Sequence, residues 1–175
     1  MIITLNGITP EIDPSVFIAD GVFISGDVKI GKNSSVWFNS VIRGDVNYVR
    51  IGENTNIQDL SMLHISGGRN PLLIGDYITI GHRCIVHGCT VNNNVLIGMG
   101  SVILDDAVIG SNSIIAAGSV VKENSVIPEN VLIAGVPAKI MREITEEEII
   151  RIRKSAEGYV KNAALYKAYL SKGEP

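Results

Sequence analysis

The chain has 175 residues, of which 46% are hydrophobic and 19% are charged, and its formal net charge is −3. These values predict a single compact globular domain and exclude a disordered chain. The near-neutral charge, without a dense run of Lys and Arg, argues against nucleic acid and against an anionic membrane surface as partners.

The N-terminal stretch MIITLNGITPEIDP lacks the basic and apolar regions of a secretory signal. No stretch of the chain reaches the roughly 18 apolar residues of a membrane span. We therefore expect a cytoplasmic protein without a membrane partner.

From Ile12 to Ile133 a β-branched residue recurs with a period of six, Leu63 being the one departure among twenty units. A six-residue period does not fit the 3.6-residue turn of an α-helix, and the Gly, Asn and β-branched content disfavours helix. Hexapeptide repeats are the signature of a parallel β-helix in which three units make one triangular coil. The pattern predicts a mainly β protein with a β-helix of about seven coils over residues 1–140.

Two insertions and one deletion interrupt this period. The interval from Ile42 to Ile51 is three residues too long, that from Leu63 to Ile74 is five too long, and that from Val86 to Val91 is one too short. Insertions in solenoids usually form surface loops. We therefore expect surface loops at VNY, residues 46–48, with its neighbours, and at SGGRNP, residues 66–71.

After Ile133 the pattern ends, and from Thr145 the apolar residues follow a helical period. Thr145 and Glu148 have the spacing of a capping box. We expect a helix over residues 145–171 that packs on the solenoid wall and completes the single domain.

All three histidines lie near the middle of the repeats. If the insertions consume no face, Ile42, Leu63 and Val86 lie on one face of successive coils, and the residues that follow them point outward. Those residues are Arg43, His64 and His87. Two imidazoles on adjacent rungs, about 4.8 Å apart, can share a metal ion.

His82 belongs to the preceding face, one rung from Asp59, and points elsewhere. One chain therefore cannot easily close three histidines around an ion, but a three-fold assembly would bring His82 to the pair of a neighbour. The alternative is that all three are ordinary surface histidines. We favour metal binding because the pair is stacked and in register with Arg43. Cys84 and Cys89 are interpreted as reduced thiols, with Cys84 in the core and not a ligand.

Several segments resemble the γ-class carbonic anhydrases: RGD at 43–45, NIQD at 56–59, His64, and GHRCIVHGC at 81–89. The resemblance implies a left-handed β-helix with a C-terminal helix, assembled as a homotrimer. It also implies Zn²⁺, or Fe²⁺ or Co²⁺, held by His64 and His87 of one chain and His82 of the next. The implied reaction is reversible hydration of CO₂ to bicarbonate by hydroxide generated at the metal.

The resemblance also suggests further site residues. Gln58 and Asn56 would orient the hydroxide or the substrate. Arg43 would either pair with Asp45 or Asp59 across the trimer interface or contact bicarbonate. Tyr159 would reach the site from the helix. The catalytic candidates are thus Gln58, Asn56, Arg43, Asp45, Asp59 and Tyr159.

The chain departs from the family where the proton-transferring glutamates stand, because Val46 and Gly67 occupy those positions. This leaves open a structural trimer that uses the metal only as a staple. A hexapeptide acyltransferase is a further alternative, since GVPAKIMR at 135–142 resembles the end of many acetyltransferases. Against it, three histidines placed for one metal would be superfluous.

Overall fold

The computed structural model describes residues 1–68 and 70–171, which form 20 strands and one helix. They build a left-handed parallel β-helix of about seven turns followed by the C-terminal helix, and the predicted fold class is confirmed. Most strands have two or three residues, because each is one short side of a triangular coil. The three sides are named below for what they carry.

The helix face consists of β3 (Phe17–Ile18), β5 (Ser35–Val36), β7 (Asn56–Ile57), β10 (Thr79–Ile80), β13 (Leu96–Ile97), β16 (Ile114–Ile115) and β19 (Val131–Gly135). The histidine face consists of β1 (Ile2–Ile3), the first parts of β4 (Phe23–Ile30) and β6 (Val41–Ile51), β8 (Met62–His64), β11 (Ile85–His87), β14 (Val102–Ile103) and β17 (Val120–Val121). The third face consists of β2 (Glu11–Ile12), the ends of β4 and β6, β9 (Leu72–Ile74), β12 (Thr90–Val91), β15 (Val108–Ile109) and β18 (Val126–Ile127).

The register follows the six-residue period. Leu63 lies opposite Ile42 on one side and Val86 on the other, and all three are fully buried. On the third face Ile74 lies between Ile51 and Val91. Neither insertion therefore replaces a side of a coil, which is what the assignment of residues to faces from the sequence assumed.

The first insertion is not the surface loop that we predicted. β6 continues through it, and the pairing with β4 jumps from Gly26–Gly44 to Val28–Val49. The extra residues therefore form a β-bulge that carries Val46, 54% exposed, into solvent. A Cβ atom on Gly26 would lie 2.2 Å from the Gly44 carbonyl oxygen, so β4 and β6 can approach this closely only because residue 26 is glycine. The second insertion lies between β8 and β9 and forms a turn and loop in its described residues, as predicted.

The small residue of each unit lies inside a corner. Ser61 donates a hydrogen bond from Oγ to the Gly81 carbonyl of the next coil at 3.0 Å, and Cys84 Sγ does the same to Gly98 at 3.2 Å. These bonds satisfy buried polar groups while the chain turns. Both Cys84 and Cys89 are buried and free, and burial raises the pKa of the Cys84 thiol. Neither is placed as a metal ligand.

After β19 the chain forms an antiparallel strand, β20 (Ala138–Glu143), which sequence reasoning did not predict. The helix α1 (Glu146–Ser171) then begins at the predicted capping box. The Thr145 amide donates to Glu148 Oε2 at 3.0 Å, and the Glu148 amide donates to Thr145 Oγ1 at 3.3 Å. Arg142 of β20 donates two further bonds to the same carboxylate.

The helix α1 packs along the helix face. Ile152 and Ala163 are buried against it, and the rings of Tyr159 and Tyr166 meet Trp37 at centroid distances of 5.4 and 5.0 Å. This packing leaves the histidine face uncovered by the helix. Of the helical residues that the structure describes, none forms a segment long and apolar enough to cross a membrane.

Candidate metal centre

His64 and His87 lie side by side on adjacent coils of the histidine face. Each follows an inward residue of its strand, so both rings point outward, as predicted. The ring centroids are 5.1 Å apart, and His64 Nδ1 faces His87 Nε2 at 3.1 Å. These two residues are called the histidine pair below.

Each ring of the pair is held on its far side by a carboxylate. Asp45 Oδ1 lies 2.9 Å from His64 Nε2, and Asp105 Oδ1 contacts His87 Nδ1. Asp45 comes from the bulge in β6, and Asp105 follows β14 on the next coil. A carboxylate accepts a hydrogen bond from the ring nitrogen that it contacts and so selects the tautomer of a neutral imidazole.

This selection leaves two lone pairs facing each other. If His64 donates from Nε2 and His87 donates from Nδ1, then His64 Nδ1 and His87 Nε2 are both acceptors. Two acceptors at 3.1 Å cannot bond each other, and a cation between them would satisfy both. Nitrogen ligands lie about 2.0–2.1 Å from zinc, so two of them in tetrahedral geometry are about 3.3 Å apart. The 3.1 Å between His64 Nδ1 and His87 Nε2 is close to this spacing.

Arg43 forms an ion pair with Asp45 of its own chain at 2.7 Å. Pairing of Arg43 across a trimer interface stays a prediction. Burial alone would raise the pKa of the Asp45 carboxyl, but the bond with His64 and the charge of Arg43 outweigh burial and lower it. Asp45 therefore connects the exposed guanidinium to the histidine pair.

His82 lies at the corner before the histidine face, with Nδ1 2.7 Å from Asp59 Oδ2. Its Nε2 atom is directed away from that carboxylate, so this histidine has the same carboxylate support as the other two. Within residues 1–68 and 70–171, no three His, Cys, Asp or Glu side chains converge on one point. His82 is thus separate from the histidine pair of its own chain, as expected for ligands that serve different sites.

Asn56 and Gln58 lie on the helix face, one rung from β10, the strand that precedes His82. Gln58 donates from Nε2 to Asn56 Oδ1 at 3.1 Å, and Asn56 donates from Nδ2 to Thr79 Oγ1 at 3.0 Å. This chain of bonds directs the carboxamide oxygen of Gln58 away from Asn56. Gln58 also lines a groove of about 470 Å³ that runs between the helix face and Ser155 of α1.

Tyr159 lies on the same side of the coil as Asp59. Burial is the larger cause of its raised pKa, and the negative charge of Asp59 is the second. Its ring packs edge-on against Trp37, so it also belongs to the contact between α1 and the helix face.

An apolar column lies between His82 and the histidine pair on the histidine face. The column runs up the histidine face in register and consists of Phe23, Val41, Met62, Ile85, Val102 and Val120. Phe23 and Ile85 are each 43% exposed. The other four are partly buried. Isolated apolar residues are common on surfaces, but a continuous, partly exposed apolar column indicates an interaction surface.

Sequence reasoning missed Asp105 and its second contact. Asp105 Oδ2 accepts a hydrogen bond from Ser66 Oγ of the second insertion at 2.9 Å. A signal was present, because Asp105 stands two residues after inward Ile103, as Asp59 stands two after Ile57. The rule that paired Asp59 with His82 also places an acidic group near His87.

Comparisons with known proteins identify relatives of this chain. A hexapeptide-repeat family model, described as bacterial transferase hexapeptide with six repeats, matches residues 88–123. A protein named carbonic anhydrase from Geobacillus kaustophilus strain HTA426 is 55% identical over 168 residues, 96% of this chain and 92% of that protein. The mitochondrial gamma carbonic anhydrase 2 of Arabidopsis thaliana is 44% identical over 94% of this chain, which spans 61% of that protein.

A solved structure from Bacillus cereus, provisionally described as an acetyltransferase, superposes with a TM-score of 0.94. It is 45% identical, and the match covers 96% of this chain and 97% of that one. A shared fold does not determine function, so the name of this structure does not assign an activity to this chain. The identity and coverage of the named relatives decide the family: the chain belongs to the γ carbonic anhydrases, a branch of the hexapeptide-repeat proteins.

Proposed function

We propose that this protein is a metal-dependent carbonic anhydrase that hydrates CO₂ reversibly to bicarbonate at sites shared between the subunits of a homotrimer. One observation carries the proposal. The two facing nitrogens of His64 and His87 are left as acceptors by Asp45 and Asp105, which is the state required of metal ligands.

The donor set fits zinc, and Fe²⁺ or Co²⁺ as alternatives. Two imidazoles from one chain and a third from a neighbour make a three-nitrogen site, which is the ligand set of catalytic zinc with one open position. When bound, such an ion acts as a Lewis acid and makes hydroxide available near neutral pH. Each of the three histidines also has the carboxylate partner that orients metal-binding imidazoles.

The third ligand comes from the geometry of the histidine face. Within one coil, His82 and His87 stand on opposite edges of this face, with Ile85 of the apolar column between them. In a closed three-fold ring, one edge of the face on each subunit meets the opposite edge on the next. The apolar column would be buried in that contact, and His82 of one subunit would approach the histidine pair of another.

The remaining residues have distinct roles in this proposal. Asn56 accepts a hydrogen bond from the Gln58 amide and fixes it, so the carboxamide oxygen of Gln58 would be free to accept a hydrogen bond from the nucleophile and to orient it toward CO₂. Arg43 stabilises the Asp45 carboxylate that holds His64. Asp59 holds His82, and Tyr159 stands behind Asp59 as part of the wall of the site.

Proton export is the weak part of this site. Each turnover releases a proton, and positioned proton transfer contributes about 10²–10⁴-fold to rates of this kind. The family positions for this task hold Val46 and Gly67, neither of which titrates. We therefore expect a slow enzyme whose turnover is limited by transfer of protons to buffer.

Two alternatives are separated by one experiment. A structural trimer would bind the metal without hydrating CO₂. An acetyltransferase would need neither the metal nor CO₂ hydration; this class is suggested by the name of the B. cereus structure. The protein should be produced with added metal, purified without chelating resin, and assayed for metal content and CO₂ hydration. One metal per subunit with hydration supports the enzyme, and metal without hydration in concentrated buffer supports the structural trimer. Absence of bound metal would contradict both the enzyme and the structural trimer.

A further inference from the structure

Asp105 is a buried carboxylate that makes two contacts of different kinds. Its side chain is only 9% exposed, one oxygen contacts His87 Nδ1, and the other accepts a hydrogen bond from Ser66 Oγ. His87 is one member of the histidine pair, and Ser66 begins the second insertion. Asp105 therefore links His87, a proposed ligand, to the loop beside it.

The surroundings are built to accept this carboxylate. Gly88 has a φ of +50°, and a Cβ atom there would lie 2.3 Å from Asp105 Oδ1. Any side chain at residue 88 would therefore displace Asp105 from His87. A buried charge is tolerated only where it is paired and hydrogen-bonded, and both conditions are met here.

Asp106, the next residue, contacts the other end of the same loop. Asp106 Oδ1 accepts a hydrogen bond from Asn70 Nδ2 at 2.6 Å. The second insertion is thus held at Ser66 and at Asn70 by two consecutive carboxylates after β14. Of these two carboxylates, Asp105 is the one whose contact with a histidine ring is described.

We propose that Asp105 is a positioning residue that couples metal binding at His87 to the order of residues 65–68 in the loop after β8. This inference rests on the proposed metal site. One oxygen keeps the proton on His87 Nδ1 and directs Nε2 toward His64, and the other fixes Ser66 next to Gly67. Because coupling between two sites is reciprocal, a metal that holds the His87 ring also holds the loop through Asp105.

The test compares Asp105→Ala and Asp105→Asn with Asp106→Asn as the matched control. Zinc affinity is measured by competition with a chromophoric chelator, and site geometry by the visible spectrum of the Co²⁺ form. Loss of a carboxylate behind a metal-binding histidine typically lowers metal affinity about 10–100-fold. We expect that loss for Asp105→Ala, partial recovery for Asp105→Asn, whose amide oxygen still accepts from His87, and wild-type affinity for Asp106→Asn.

The loop is followed by hydrogen exchange of its backbone amides with and without zinc. Zinc should slow exchange in the wild type and should no longer do so in Ser66→Ala, which retains the carboxylate on His87. If Asp105→Ala does not fold, the isosteric Asp105→Asn carries the test through its altered Co²⁺ spectrum. Wild-type affinity and spectrum in the Asp105 variants, while the wild type binds zinc, would overturn this inference alone. A wild type that binds no zinc would overturn the proposed function as well.

Discussion

Gly67 lies beside Val46: a Cβ atom on Gly67 would be 3.7 Å from the Val46 Cβ, an ordinary van der Waals distance. The bulge of β6 and the loop at 65–71 therefore bring together the two positions where the family carries carboxylates. The backbone of Gly67 is outside the left-handed region, so a longer side chain can be placed there without strain. This contact makes a direct test of the missing proton relay possible.

Gly67→Glu should raise turnover in dilute buffer, because a long carboxylate at this position can pass protons from the site to solvent. We expect the turnover to rise by no more than about 10²–10⁴-fold, which is what positioned proton transfer typically contributes. The rate of the wild type should likewise rise with the concentration of an imidazole-type buffer. Stopped-flow CO₂ hydration measures both effects, and metal content should stay unchanged.

The matched control is Gly67→Gln, which has the same shape and cannot carry a proton. Equal rates for the Glu and Gln variants would show that the gain is not proton transfer. If metal-replete protein stays inactive in concentrated imidazole buffer, with and without the glutamate, the structural trimer replaces the enzyme as the explanation.

The six-residue period of the sequence was sufficient to predict the inward column Ile42, Leu63 and Val86 and, from it, the outward histidine pair. This succeeded because inward and outward positions alternate within a strand. The count also placed Asp59 beside His82, which the structure bears out.

Other features were not readable from the period. Residues 46–48 and their neighbours looked like a loop because a bulge and a loop both appear as added residues, and the decisive Gly26–Gly44 contact lies between coils. The strand β20 follows the last repeat and pairs antiparallel with β19, so the six-residue period could not predict it. Asp105 was missed although its place two residues after Ile103 puts it one rung from Gly88, beside His87, because the count of faces was applied only to the segments around the histidines.

The apolar column should be needed for assembly. In the proposed trimer Ile85 is buried at each interface, and burial of such an apolar side chain contributes about 1.5–3 kcal/mol of stabilisation. Ile85→Lys would place a charge there instead. We expect trimer dissociation at micromolar concentration, measured by analytical ultracentrifugation, together with loss of bound metal. Val126→Lys is the control, because Val126 is 75% exposed at the corresponding position of the third face. Dissociation of both variants, or of neither, would contradict the assigned interface.

The start of α1 should become less stable in acid. The hydrogen bond with Arg142 is the main cause that lowers the pKa of Glu148 from 4.5 to about 2, and the Thr145 amide is the second. A depressed folded-state pKa means that the stabilisation is complete above pH 4.5 and disappears as the pH falls toward 2. The difference in Tm between the metal-free wild type and Glu148→Gln should therefore shrink across this window.

Arg142→Gln tests the same contact from the other partner and should remove most of the same pH dependence, measured by circular dichroism melts. A Tm difference between wild type and Glu148→Gln that is constant from neutral pH to pH 2 would show that this carboxylate does not contribute through its charge.

The sharing of one metal site between two subunits is tested most directly by metal binding in mixed trimers. A chain with His64→Ala and His87→Ala supplies only His82, and a chain with His82→Ala supplies only the histidine pair. In any mixed ring, three-fold geometry leaves one interface with all three ligands, whereas neither variant alone has a complete site. Tagged mixed trimers, isolated and analysed for metal, should bind one zinc ion per trimer, while both homotrimers bind none. Mixed trimers without zinc, or a His82→Ala homotrimer that retains full zinc, would contradict a site built from two subunits.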